Sequence, residues 1–212
     1  MSKICGPLHK LFNSMERFVF PFDEAILPSN GIYILFEKGE GAHGADRIVR
    51  VGTHTGIDQL RSRLKQHFIN ENKDRSIFRK NIGRAILNKN KDPFLEQWEW
   101  DLTTREAKNT LGKKVCCQRQ KEIEKKVTKY IQNNFSFVVI NIEKKEDRLG
   151  LESKIISTVS LCEECRPSDN WFGLYSTKDK IRESGLWLVN ELYKEPLAEK
   201  EFIALKKICK AS

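Results

Sequence analysis

Nowhere in this chain do apolar residues run for the roughly 18 positions a membrane-crossing helix needs, so a helical membrane protein is not expected. The opening residues, MSKICGPLHKLFNSMERF, have neither the apolar core nor the small-residue cleavage site of an export signal, and an intracellular, cytoplasmic protein is expected. Internal repeats, low-complexity tracts and an obvious linker are missing too, which argues against a solenoid and against two full domains in 212 residues. Acidic residues are in deficit: 29 Asp and Glu face 38 Lys and Arg, a formal charge of +9. That balance favours a polyanionic partner, nucleic acid above all, without naming a sequence.

The six cysteines are Cys5, Cys116, Cys117, Cys162, Cys165 and Cys209. In a chain of this length without an export signal they are expected reduced and mostly buried rather than disulfide-bonded. Cys162 and Cys165 form a CxxC, but the only other pair, Cys116 and Cys117, is adjacent and would strain to give two ligands to one tetrahedral zinc. A zinc-stabilised interaction domain therefore ranks behind plain buried thiols.

What is present is enough to build a core: 39% hydrophobic residues, with 4 Trp and 12 Phe, exclude global disorder. Gly31 to Glu37 (GIYILFE) and Arg47 to Thr53 (RIVRVGT) are β-branched and aromatic runs that predict a hairpin through a long Gly39 to Asp46 loop. From Ile57 the apolar period changes to three and four (Ile57, Leu60, Leu64, Phe68), predicting an amphipathic helix. Further helices are predicted over Ser76 to Asn88, Val115 to Asn133, Asp147 to Leu161 and about Pro196 to Lys210, and a third strand over Phe135 to Ile142. The segment PFLEQWEWDLT from Pro93 fits strand or helix. Trp98, Trp100, Trp171 and Phe172 are expected to pack in the core rather than stack on bases.

On the helix after the hairpin, Arg63 and His67 stand one turn apart beside the Leu60 and Leu64 stripe. A guanidinium offers a fork of donors to phosphate oxygens, and an imidazole can give or take a proton at a reacting oxygen. Glu152 falls with Leu149, Ile156 and Val159 on the core-facing stripe of a later helix, so its carboxylate needs a basic partner, a shifted pKa or a metal. Lys80 and Arg84, four apart, form a candidate phosphate-tracking stripe with Lys73, Arg75 and Arg79. For each of these residues a purely structural role is the alternative.

Taken in order, Gly31-Ile32-Tyr33, a strand ending Arg50-Val51-Gly52, a helix with Arg63, Leu64 and His67, a third strand, a helix with Glu152, then Asn170 and Trp171 closely resemble the GIY-YIG nuclease superfamily, whose members cleave DNA phosphodiesters. The resemblance covers about Gly31 to Trp187. It implies an α/β (α+β) fold, a small three-stranded antiparallel sheet flanked by helices, here with a helical insertion and a C-terminal extension. The expected division is a leader at 1–30, a nuclease domain at 31–190 with its insertion at about 69–134, and a helical tail at 191–212.

By position, the resemblance makes Tyr33, Arg63, His67 and Glu152 catalytic, with Glu152 the ligand of Mg²⁺ (or Mn²⁺), and relates Asn170 less closely to a late asparagine of some members. It implies one-metal, in-line hydrolysis that leaves 5′-phosphate and 3′-hydroxyl ends. One departure is plain: Arg50 stands where the second motif has tyrosine, giving RVG for YIG. Arg50 is therefore a further candidate, as a cation lowering the pKa of Tyr33, and His54 or His67 could compensate. The rival implication is a nucleic-acid-binding module that kept the fold and lost cleavage.

Overall fold

Alternating side chains make the hairpin. In the computed structural model, which describes residues 3–211, strand β2 (Gly31–Ala42) pairs antiparallel with β3 (Ala45–Gly52). The pairing continues through most of the Gly-rich segment that was expected to be a long loop. Two irregularities in register absorb the extra residues, and a two-residue turn closes the hairpin, with His43 and Gly44 both at positive φ (55° and 71°). Such a turn matches the strand twist.

Chain order begins with helix α1 (Cys5–Asn13) and a two-residue strand β1 (Phe18–Val19). After the hairpin come α2 (Leu60–Phe68), α3 (Ile77–Lys89), α4 (Leu95–Glu99), α5 (Arg105–Thr110) and α6 (Cys117–Asn134). Strand β4 (Phe135–Asn141), α7 (Lys145–Ser160), α8 (Asp179–Ser184) and α9 (Glu199–Ala211) complete it. The sheet has four antiparallel strands in the order β1-β4-β2-β3, one more than the expected three. The addition is β1, too short to leave a periodic signal.

Each face of the sheet carries its own core. Tyr33, Leu35 and Phe137 point towards α2, α3 and α6, where Leu64, Phe68, Phe78 and Ile131 cover them. Ile32, Ile34, Phe36 and Ile140 point the other way, against Ile155 and Val159 of α7. That second core also takes Leu8 and Phe12 of α1 and Phe202 and Leu205 of α9. Helices α1 and α9 are thus packed on the same sheet face, while Phe18, Phe22 and Leu27 of the leader join the first core.

Helix α2 starts at Leu60, later than its apolar period suggests, and Ile57 is exposed. The Asn30 amide explains the delay: it donates to Asp58 Oδ1 (2.7 Å) and accepts the Asp58 N–H (2.9 Å), holding the chain out of helix where Asp58 has φ of 55°. The ambiguous Trp segment is helical, and Trp98 is fully buried with its Nε1 donating to the Lys80 carbonyl (2.9 Å). Trp171 is buried as expected; its Nε1 and that of Trp187 both donate to Glu37, a carboxylate whose pKa burial raises. Of the cysteines, Cys5 and Cys165 are buried, but Cys116 and Cys117 are exposed, against expectation, because they sit at the solvent-facing start of α6. No helix among the described residues is long and apolar enough to cross a membrane.

Candidate active site

Strand β3 is a sheet edge, and the segment after α8 runs along it, with the Trp187 N–H donating to the Val49 carbonyl (2.7 Å). Past that contact the edge opens into a cavity of about 430 Å³, lined by Arg50 and Val51 of β3, Arg63 of α2, Asn81 of α3, Glu152 of α7 and Asn190 and Glu191, among others. A larger cavity of about 540 Å³ near Met15 and Leu27 has no basic residue in its lining and nothing to hold a phosphate.

The motif glycines are explained by close approach. A Cβ on Gly31 would strike the Ile140 carbonyl of β4, and one on Gly52 would overlap the Tyr33 ring and hydroxyl, since Tyr33 and Gly52 are direct partners across the hairpin. Tyr33 therefore lies flat across Gly52 and reaches α2, where its Oη is 2.7 Å from His67 Nε2. His67 Nδ1 is 2.7 Å from Ser76 Oγ, the cap of α3. Tyr33 and His67 are both fully buried, and neither lines the cavity. Burial, reinforced by Arg63, Arg50 and Arg79, pushes the His67 pKa well below its ordinary 6.5, so the ring is neutral.

Glu152 is half-buried, and this desolvation raises its pKa to about 7 against the opposing pull of Arg50, a hydrogen bond from the Thr53 N–H and the charge of Arg63. Arg50 is turned inward: its Nη1 donates to the Trp187 carbonyl and its guanidinium lies over the Phe78 ring, 5.2 Å from the centroid. Arg50 Nε and Asn81 Nδ2 are buried with no hydrogen-bond partner among the described residues. Both residues line the cavity, but these two nitrogens lie beneath its wall. Arg63 Nη1 donates to Gln66 Oε1 and the Arg75 carbonyl (both 3.0 Å), which extends its guanidinium along the cavity rim.

The structure thus brings Arg50, Arg63 and Glu152 together and sets Tyr33 and His67 behind them. Other candidates lie elsewhere. Asn170 is exposed on a turn and does not line this cavity; Asn190 does. Lys80 Nζ donates to the Glu99 carbonyl (2.8 Å) and Arg84 pairs with the Glu99 carboxylate (2.6 Å), so this stripe is tied down inside the insertion. Arg79 is likewise buried against Glu124 (2.6 Å). His54 spends both nitrogens on the backbone, Nδ1 donating to the Gly56 carbonyl (2.8 Å) and Nε2 accepting from the Gly31 N–H (3.3 Å).

Sequence reasoning missed Ser76, Asn81, Asn190 and Glu191. The last two left a usable signal, a polar pair ending the apolar run Leu186 to Val189.

A tyrosine on the first hairpin strand, an arginine and a histidine one turn apart on the following helix and a glutamate on the helix after the last strand thus stand in the order read from the sequence. The family model for the GIY-YIG domain matches residues 8–209, and the chain belongs to that family, whose members are in general endonucleases acting on nucleic acid. The match takes in most of helices α1 and α9, which pack on the second core. No curated protein and no solved structure matches the chain.

Proposed function

We propose that this protein is a divalent-metal-dependent endonuclease that hydrolyses DNA phosphodiester bonds at the β3-edge cavity. The observation that carries the reading is a single cavity lined by Glu152, whose pKa burial raises, and by two arginines, Arg50 and Arg63.

The donor set fits Mg²⁺ or Mn²⁺, which keeps several waters and binds through one or two carboxylates plus substrate phosphate oxygens. Glu152 would hold the ion, with Glu191 the nearest second carboxylate in the lining. Once bound, a divalent ion supplies Lewis-acid stabilisation of charge on the phosphate and leaving oxygens.

The chain's own residues do the rest. Arg63, on the rim, binds the scissile phosphate and neutralises charge as it develops on the equatorial oxygens. Arg50 takes the inner side of the cavity, held by the Trp187 carbonyl, and adds its positive charge there. His67 is neutral, so one ring nitrogen donates and the other accepts. With Nδ1 donating to Ser76 Oγ, Nε2 accepts the Tyr33 phenol proton, which fixes both side chains behind the cavity wall and positions α2, the helix that carries Arg63. Burial keeps His67 uncharged, and Arg63 and then Arg50, which stands in place of the second-motif tyrosine, reinforce it.

The test is incubation of purified protein with supercoiled, linear and branched DNA in Mg²⁺ or Mn²⁺, followed by end-group analysis, where 5′-phosphate and 3′-hydroxyl ends are expected. A second reading, a binding module on the same fold, draws on the full burial of Tyr33 and His67. It predicts DNA retention with intact strands in the same assay.

A further inference from the structure

A second cluster of chemistry-bearing side chains lies outside the cavity. Cys5 and His9 sit one turn apart on α1, His43 is the first residue of the hairpin turn, and Cys165 ends a short helical turn after α7. The ligand atoms of these four residues all lie within 4.8 Å of one another. We propose that Cys5, His9, His43 and Cys165 bind a structural zinc ion.

Edge lengths carry the argument. For zinc with Zn–S near 2.3 Å and Zn–N near 2.0–2.1 Å, tetrahedral geometry requires about 3.8 Å between two sulfurs and about 3.6 Å between sulfur and nitrogen. Cys5 Sγ and Cys165 Sγ are 3.4 Å apart, Cys165 Sγ is 3.5 Å from His43 Nε2 and 3.8 Å from His9 Nε2.

Both histidines are also oriented from behind in the same sense. His9 Nδ1 lies 3.0 Å from the Cys5 carbonyl and His43 Nδ1 lies 3.2 Å from a Glu164 carboxylate oxygen. Each ring thus holds its proton on Nδ1 and turns the Nε2 lone pair towards the thiols, the second-sphere arrangement of zinc-bound imidazole. The Ile48 N–H, 3.3 Å from His9 Nε2, is a long contact that a metal ion would replace. Cys162 Sγ, 3.3 Å from His43 Nε2, stands beside the set as an outer thiol.

Thiolate and imidazole donors select zinc over the hard cations suited to Glu152. Cys5, His9 and Cys165 are fully buried, so the centre is closed and takes no substrate. Its role is mechanical: it ties the leader helix to the hairpin turn and to the end of α7, closing the second core. The sequence hides it because its ligands are spread over 160 positions and only Cys165 belongs to the CxxC.

The experiment is zinc analysis of protein purified without chelator, with thermal unfolding and cobalt substitution as readouts independent of cleavage. Expected are one zinc per chain, a fall in melting temperature on chelation that zinc reverses, and a cobalt spectrum of tetrahedral S₂N₂ type. Zinc should be lost from Cys165→Ser and His43→Ala and kept by Cys162→Ser and by Cys116→Ser/Cys117→Ser. Where a variant fails to fold, the cobalt spectrum of the wild type decides. Absence of stoichiometric zinc from protein expressed in zinc-replete medium, a Cys5–Cys165 disulfide in fresh protein, or loss of zinc from Cys162→Ser with retention in His9→Ala would overturn the assignment.

Discussion

Tyr33 Oη lies 2.7 Å from His67 Nε2, and no solvent reaches either group. The hydroxyl is fixed by the neutral imidazole on one side and by the absent side chain of Gly52 on the other. Tyr33→Phe keeps the ring packing but leaves a buried His67 nitrogen unpaired, a cost of about 1–3 kcal/mol. The expected result is a lower melting temperature together with a cleavage rate reduced by about 10²-fold or more. Full activity in this variant would show that the Tyr33–His67 contact has no part in cleavage.

Gly52→Ala tests the same relationship from the other strand. Its Cβ would overlap the Tyr33 hydroxyl, forcing the ring or the strand to move. Overpacking of this kind costs about 1–3 kcal/mol. Urea unfolding should show that loss, and activity should fall with it because Tyr33 no longer reaches His67.

Half-buried Glu152 and buried His67 give opposite pH signatures. Glu152 has a folded pKa of about 7 against an ordinary 4.5, so folding penalises its ionised form. The penalty is absent below about 4.5, complete above about 7, and destabilises metal-free protein as pH rises through that window. Glu152→Gln should therefore raise the melting temperature at pH 8 and leave it unchanged at pH 4. His67 runs the other way. Below pH 6.5 the unfolded chain binds a proton that the buried ring refuses, so stability falls with pH, and His67→Gln should flatten that acid limb. Melting curves of the three proteins across pH check both signs, and parallel curves would contradict them.

The buried insertion cations are structural. Glu124→Ala strips Arg79 of its carboxylate and should cost about 3–5 kcal/mol. Contact with DNA is instead expected from exposed lysines such as Lys121, Lys125 and Lys129, which repeat every four residues along α6. Reversing Lys125 and Lys129 should leave melting unchanged and reduce the slope of log affinity against log salt by about 0.9 per lost phosphate contact. An unchanged slope places the DNA on another face.

Local sequence made the central elements legible. β-branched runs marked β2, β3 and β4, a three-and-four period marked α2, and the ordered motif residues identified Tyr33, Arg63, His67 and Glu152 as candidates that the fold gathers around one edge of the sheet. What stayed hidden depends on partners far along the chain. Lys80 and Arg84 read as a free stripe because nothing near them shows that Glu99 folds back upon them. Asn170 drew attention as the counterpart of a late asparagine in some family members, but it is its neighbour Trp171 that turns inward to Glu37. The Gly39 to Asp46 segment has the composition of a loop; its glycines and His43 instead supply the bulge and turn geometry of a continuous hairpin.

The most direct test of the account is nicking of supercoiled DNA in Mg²⁺ by wild type and by Glu152→Gln at equal concentration, with folding and DNA retention measured in parallel. The account predicts cleavage by the wild type with 5′-phosphate ends, and a Glu152→Gln protein that folds, binds DNA and leaves it intact. Nicking by Glu152→Gln at the wild-type rate would contradict it.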